Sequence, residues 1–186
     1  MNIENIVGEV ISSEEEIRSI CKKMGEQITK DYEGKMPVMV GLLNGCNPFF
    51  SDLIKYVDLL IEVDYMKASS YHGDIHATTE VKITKDLDRP VSGKDVILVD
   101  DIIDTGETLK CVTEILKSKG AKSVECCVLF DKKEARSTGY TPKYVGTPIP
   151  KKFVVGYGLD FNEHYRNLPY VGALKDEIIN SLNGDK

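Results

Sequence analysis

The sequence predicts an α/β fold: an open, mostly parallel, twisted sheet flanked by helices, with a small hood built from the two ends of the chain. Three observations predict it. Short apolar, β-branched runs alternate with amphipathic segments of helical period, the pattern of successive strand–helix units. The 186 residues suit one domain, enough to bury roughly 70% of the unfolded surface. The apolar run Val96 to Val99 delivers carboxylates and hydroxyls at its carboxyl end, where open sheets of this kind bind ligands. The single domain divides into a core of about residues 36–150 and a hood from about 1–35 and 151–186.

The elements follow in order. Ser13 with Glu16 makes a capping box, and Ile17, Ile20, Cys21, Met24 and Ile28 form one apolar stripe, so a first helix runs from about Glu14 to Tyr32. A strand at Val38 to Leu43 leads to a helix opened by Asn47 and Pro48, with Phe50, Leu53, Ile54 and Val57 on its buried face. Another strand occupies about Leu60 to Met66. The polar stretch Ala68 to Thr79 has no apolar period and contains Gly73, so it reads as a loop before a strand near Val81 to Thr84. The strand Val96 to Val99 feeds a turn and a helix whose stripe is Leu109, Val112, Ile115 and Leu116, ending at Gly120. Val124 to Phe130 completes the alternation.

Composition narrows the function. Thirty acidic against 24 basic residues leave a formal charge of -6, which argues against a nonspecific nucleic-acid or membrane surface. No run of about 18 apolar residues and no signal pattern occurs, so the expected location is cytoplasmic. Five cysteines without a C-x-x-C pair, two of them adjacent at Cys126 and Cys127, speak against disulfides. His72, His76 and His164 lack zinc-ligand spacing. Cys46, beside the loop at Gly45, reads as a small residue near a tight turn rather than a redox switch.

The chemistry concentrates between Asp100 and Leu109. Thr105, Gly106 and Thr108 stand where a strand gives way to a helix, so backbone N–H groups and hydroxyls can surround a phosphate monoester, aided by the helix dipole. Asp100 and Asp101 can accept hydrogen bonds from a ribose diol, and carboxylates also suit magnesium. Asp104 is placed to meet whatever is joined to the sugar. Neither G-x-x-x-x-G-K-[ST] nor G-x-G-x-x-G is present, which excludes the P-loop and the dinucleotide fingerprint.

The run Val-Ile-Leu-Val-Asp-Asp-Ile-Ile-Asp-Thr-Gly-Glu-Thr-Leu resembles the 5-phosphoribosyl 1-pyrophosphate motif of type I phosphoribosyltransferases. A second run, Gly156-Tyr-Gly-Leu-Asp-Phe-Asn-Glu-His-Tyr-Arg166, is similar to the segment near the purine and pyrophosphate sites in the branch of that family acting on hypoxanthine and guanine. With Lys132 and Lys152 to Val155, the likeness spans about Val38 to Val171.

The resemblance implies transfer of a phosphoribosyl group to a purine base, with release of pyrophosphate. Asp104 would be the general base at the purine 7-nitrogen, although an aspartate there can also cap a helix. Asp100 and Asp101 would hold the ribose hydroxyls and magnesium, Thr105, Gly106 and Thr108 the 5-phosphate, and Glu107 would contribute its N–H with its side chain turned away. Lys132 would donate to the 6-oxo oxygen, Phe153 would stack on the ring, the Val154 backbone would address the base edge, and Asp160 would support the purine end and a second magnesium. Leu43, Asn44 and Gly45 resemble the pyrophosphate loop, with Asn44 where relatives carry a basic residue, and Arg166 would pair with pyrophosphate oxygens. Ser70 and Tyr71 match the family's lid pair. A homodimer or homotetramer is implied. An RNA-binding regulator on the same fold is the alternative of another class, disfavoured by the acidic balance and the absence of an aromatic-basic stripe. A preference for xanthine over hypoxanthine and guanine stays open, because backbone carbonyls make that choice.

Overall fold

The computed structural model describes residues 6–71, 80–175 and 177–178. In chain order the elements are β1 (Val7–Ser12), α1 (Glu14–Asp31), β2 (Val38–Leu43), α2 (Asn47–Leu53), β3 (Glu62–Tyr71) and β4 (Glu80–Lys85). They continue with β5 (Asp95–Ile103), α3 (Glu107–Ser118), β6 (Ser123–Asp131), β7 (Tyr144–Pro148), β8 (Val154–Val155) and β9 (Val171–Leu174).

Six strands form one sheet in the order β4-β3-β2-β5-β6-β7. All neighbours are parallel except β3 and β4. The central strands β2, β5 and β6 are buried along nearly their whole length, as continuous Val/Ile/Leu runs covered on both faces require. One face packs Met39, Ile97, Val99 and Leu129 against α1 and α2; the other packs Val40, Leu98 and Val128 against Leu109, Val112 and Leu116 of α3. A separate antiparallel sheet, β1-β9-β8, joins the two ends of the chain. α1 lies in the stretch assigned to the hood but packs on the central sheet, through Ile17, Cys21, Met24 and Ile28.

The capping box at Ser13 and Glu16 forms, with Ser13 N–H donating to the Glu16 carboxylate at 2.8 Å. Three expectations change. The loop expected from Ala68 begins later: Ala68 to Tyr71 continue β3 and pair with β4, because backbone hydrogen bonds in the antiparallel ribbon make up for the missing apolar period. The remainder of that segment, with Gly73, His72 and His76, lies outside the described residues. The helix after Pro48 stops at Leu53 and tightens into a 3-10 turn at Ile54–Tyr56, so Val57 is buried but not helical. β5 runs four residues past Val99, which makes Asp100 and Asp101 strand residues. Strands β1, β7, β8 and β9 carried no readable alternation. Among the described residues no helix is long and apolar enough to cross a membrane, and the five cysteines are free thiols.

The crossing of α1 over the 3-10 turn needs a glycine. A methyl group on Gly25 would lie 2.5 Å from Tyr56 Cβ and 2.7 Å from the Tyr56 carbonyl oxygen. Alanine gains up to about 1 kcal/mol of helix propensity, yet the obstructing atoms include backbone that cannot swing aside. Gly25→Ala is expected to lower the unfolding free energy by about 1–3 kcal/mol in urea titrations.

Candidate active site

The junction of β5 and α3 is built by Gly106, whose φ of +86° ends the strand and starts the helix in a conformation costly for other residues. Gly106 occupies the cap position and no side chain caps α3, so Asp104 is not the helix cap. Thr105 Oγ1 instead accepts from the Glu107 N–H at 3.3 Å. The amino end of α3 is left directed at a cavity of about 320 Å³.

Four parts of the chain wall this cavity. Asp100, Asp101, Asp104, Thr105, Gly106 and Thr108 come from the β5–α3 junction. Leu43, Asn44 and Gly45 come from the turn after β2, where the Leu43–Asn44 peptide is cis. Asp160 and Arg166 come from the loop between β8 and β9, and Ala68 from β3. Glu107 is not among the lining residues. Asp104 is about half exposed, with its carboxylate 3.8 Å from the Lys132 ammonium, which is mostly buried. Phe153 is 44% exposed, stands edge-on to Phe161 at 5.0 Å, and borders a different cavity with Lys151, Lys152 and Leu174. Val154 is buried in β8. The backbone of Ser70 and Tyr71 closes β3; their side chains fall outside the described set.

The acids are crowded. Burial and then the neighbouring Asp101 charge push the Asp100 carboxyl well above the usual carboxylate range. Burial also raises Asp101, opposed by hydrogen bonding to Asp100 and to the Ile102 N–H and by the Arg166 charge. Taking a carboxylate out of water disfavours its charged form, and at Asp100 the neighbouring Asp101 charge adds to that. Cys46, fully buried behind them, is pushed up by burial and by the Asp100 and Asp101 charges, so its thiol stays protonated and unreactive.

The loop from Gly156 to Arg166 is two tight hairpins in succession. Gly156 and Leu159 exchange backbone hydrogen bonds at 3.0 Å, as do Phe161 and His164 at 3.1 and 3.0 Å. Their central pairs, Tyr157-Gly158 and Asn162-Glu163, all have positive φ, the geometry of type I′ turns. Asp160 stands between the hairpins. There it receives the Glu163 N–H at 2.9 Å and pairs with Arg166 at 2.9 Å, while Arg166 also donates to the Gly158 carbonyl at 2.8 Å and reaches Glu163 at 2.9 Å.

Two groups of residues essential to this geometry were not legible as site residues in the sequence. Gly158 packs so closely that a Cβ would sit 1.9 Å from the Gly45 carbonyl oxygen, and Tyr157 donates to Asp52 on α2 at 2.6 Å. The segment after β6 holds the outside of the β5–α3 turn. Arg136 Nε donates to the Asp104 carbonyl at 3.0 Å and Thr138 Oγ1 to the Thr105 carbonyl at 2.9 Å. In the sequence Arg136 looks like any solvated arginine, since its partner lies 32 positions upstream. Glycine spacing and the hairpin pattern were the only available clues to the first group.

A family model of the phosphoribosyl transferase domain matches residues 9–162. A hypoxanthine-guanine phosphoribosyltransferase from Staphylococcus aureus (strain Mu50) is 51% identical over 174 residues, covering 94% of this chain and 97% of the relative. One from Lactococcus lactis is 49% identical over 179 residues, covering 96% and 97%. Among solved structures, a crystal structure of a hypoxanthine phosphoribosyltransferase from Staphylococcus aureus superposes with a TM-score of 0.91 at 50% identity, covering 96% of this chain and 98% of the other.

The acidic pair predicts a stability effect of definite sign. The folded state holds the Asp100 proton to higher pH than the unfolded chain does, so this group's contribution to stability is full below the ordinary carboxylate range and is lost as pH rises through the raised folded value. Asp100→Asn is therefore expected to be more stable than wild type in urea at pH 8, with the difference shrinking on acidification toward the ordinary carboxylate range. A variant less stable than wild type at every pH would contradict the assignment.

Proposed function

This chain belongs to the phosphoribosyltransferase family, and on that premise we propose that it transfers the 5-phosphoribosyl group of 5-phosphoribosyl 1-pyrophosphate to hypoxanthine or guanine. The products are IMP or GMP and pyrophosphate, a step of purine salvage. The observation that carries this reading is the convergence of the Asp100-Asp101 pair, the Thr105–Thr108 turn, the Leu43–Gly45 loop and Arg166 on one cavity. A phosphorylated sugar bearing a diphosphate needs each of these groups around it.

Thr105, Gly106, Thr108 and the Glu107 N–H would bind the 5-phosphate at the amino end of α3, where dipole and N–H groups favour an anion. Asp100 and Asp101 would accept from the ribose hydroxyls. As the bond to pyrophosphate stretches, the sugar gains oxocarbenium character, and the three nearby carboxylates oppose that positive charge. Asp104 would take the proton from the purine 7-nitrogen, worth about 10²–10⁴ in rate. Lys132, 3.8 Å from Asp104, would donate to the 6-oxo oxygen, so one ion pair supplies both a base and a donor to the same edge of the ring.

Phe153 would cover the ring and the Val154 backbone would meet its far edge. The Asn44 and Gly45 backbone and Arg166 would receive the leaving diphosphate, and Arg166 must exchange Asp160 or Glu163 for it. Ser70 and Tyr71, at the end of β3, would close over the sugar and keep water from it.

The adjacent carboxyls of Asp100 and Asp101 suit a hard cation, since the Asp101 charge disfavours a second charge on Asp100 and oxygen ligands are already at hand. Magnesium would be held by Asp100 and Asp101 and, through water, by Asp160. When bound it neutralises the diphosphate leaving group. We read the chain as one domain, core about 36–150 with a hood from its ends, working in the cytoplasm as a homodimer or homotetramer, without nucleic acid or membrane partners.

Initial rates with hypoxanthine, guanine, xanthine and adenine test the substrate. Release of pyrophosphate with the first two supports the reading, and turnover of adenine alone would overturn it. Asp104→Asn is expected to bind 5-phosphoribosyl 1-pyrophosphate as wild type does while kcat falls about 10²–10⁴-fold; undiminished turnover would remove Asp104 from catalysis. Phe153→Ala should weaken purine binding more than phosphoribosyl binding when each is titrated separately, and equal losses would mark the ring as structural.

A further inference from the structure

We propose that Arg136 is a positioning residue that presets the phosphate-binding amides of the β5–α3 turn, a role resting on the function proposed above. Its side chain is only 15% exposed, and all three guanidinium nitrogens are engaged. Nε donates to the Asp104 carbonyl at 3.0 Å, one terminal nitrogen to the Tyr140 carbonyl at 2.6 Å, and the other to the buried carboxylate of Asp131. The rigid planar fork of arginine reaches three separated acceptors that a lysine ammonium could not span.

The geometric consequence follows from peptide planarity. In a trans peptide the C=O and N–H point in opposite directions. Pinning the Asp104 carbonyl on the outside of the turn aims the Thr105 N–H the other way. The Thr105 carbonyl is pinned on the same side, by the Thr138 hydroxyl at 2.9 Å and by the Ser137 and Thr138 N–H groups at 3.2 Å, which turns the Gly106 N–H away from them. Thr105 and Gly106 line the cavity. The segment behind the turn therefore fixes the direction of donors that would meet the 5-phosphate, before any ligand arrives.

The same segment starts at Lys132, whose N–H is tied to the Ile103 carbonyl at 3.0 Å. Asp131 anchors Arg136 within β6, a rigid central strand. Arg136 thus links the turn to the sheet by a second route besides the chain itself. Preset donors lower the ordering cost of binding and hold the reacting sugar at the right distance from Asp104.

The test is steady-state kinetics of wild type, Arg136→Lys and Thr138→Val, with magnesium and hypoxanthine, alongside thermal melting. Arg136→Lys keeps the charge facing Asp131 but loses the fork. It is expected to raise the KM for 5-phosphoribosyl 1-pyrophosphate about 10- to 100-fold, with the KM for hypoxanthine within about twofold of wild type. Thr138→Val, close in shape but without the hydroxyl that donates to the Thr105 carbonyl and accepts from the Tyr140 N–H at 3.4 Å, is expected to shift the same KM in the same direction by about 3- to 10-fold. If Arg136→Lys does not fold, Thr138→Val decides the matter.

Folded variants with a wild-type KM for the phosphoribosyl substrate would overturn the proposal. So would equal losses on both substrates or a lowered melting temperature with unchanged KM, which indicate a structural brace only. Wild-type protein that neither binds 5-phosphoribosyl 1-pyrophosphate nor turns over any purine would overturn the function itself, and this proposal with it. That failure is distinct, because it is read on wild type alone.

Discussion

Three backbone segments meet at Asp101, and the site exists because two of them present glycine. A Cβ on Gly45 would lie 2.0 Å from the Asp101 carboxylate, and one on Gly158 would lie 1.9 Å from the Gly45 carbonyl. The turn after β2 is thereby packed on the Asp101 carboxylate, and the hairpin loop before β9 on the backbone of that turn. Any side chain at either glycine would part the acidic pair from the Leu43–Gly45 loop or the hairpins from both. Tyr157, reaching from the same hairpin to Asp52 on α2, holds the stack from the other side. The cavity's walls therefore come from distant parts of the chain and are packed against one another.

The electrostatics of that unit oppose folding and favour binding. Asp101 is buried and Asp100 half-buried beside it, an arrangement with a cost in stability that a hydrophobic pair would not carry. A cation or a hydroxyl donor bound at the pair would relieve it. Arg166, the cation facing these acids, is shared among Asp160, Glu163 and the Gly158 carbonyl. Those three contacts hold the guanidinium at the cavity wall. Cys46, set behind the acids, is kept neutral by the same field.

How far the sequence could be read follows from how far each signal is local. The β5–α3 junction was legible because strand, acids, glycine and helix stripe adjoin in ten residues, and the structure alters only the strand's end. The capping box at Ser13 and the stripe of α1 were legible for the same reason. The extension of β3 through Tyr71 was not, since it depends on pairing with β4 across a turn. The short strands β1, β8 and β9 pair the two ends of the chain, and two to six residues of alternation cannot announce a partner some 160 positions away.

By itself the sequence determined the strand–helix order, the phosphate turn and the identity of the acids, because each depends on neighbours within a few residues and on side-chain chemistry. It also carried the family likeness, through runs of contiguous residues at 100–109 and 156–166. Only the tertiary structure decided that Asp104 faces Lys132 rather than capping α3, that Arg166 is tethered between two acids, and that Arg136 aims the turn's amides. Those are relations between residues far apart in the chain, and close packing brings them within hydrogen-bond distance only once the sheet has formed.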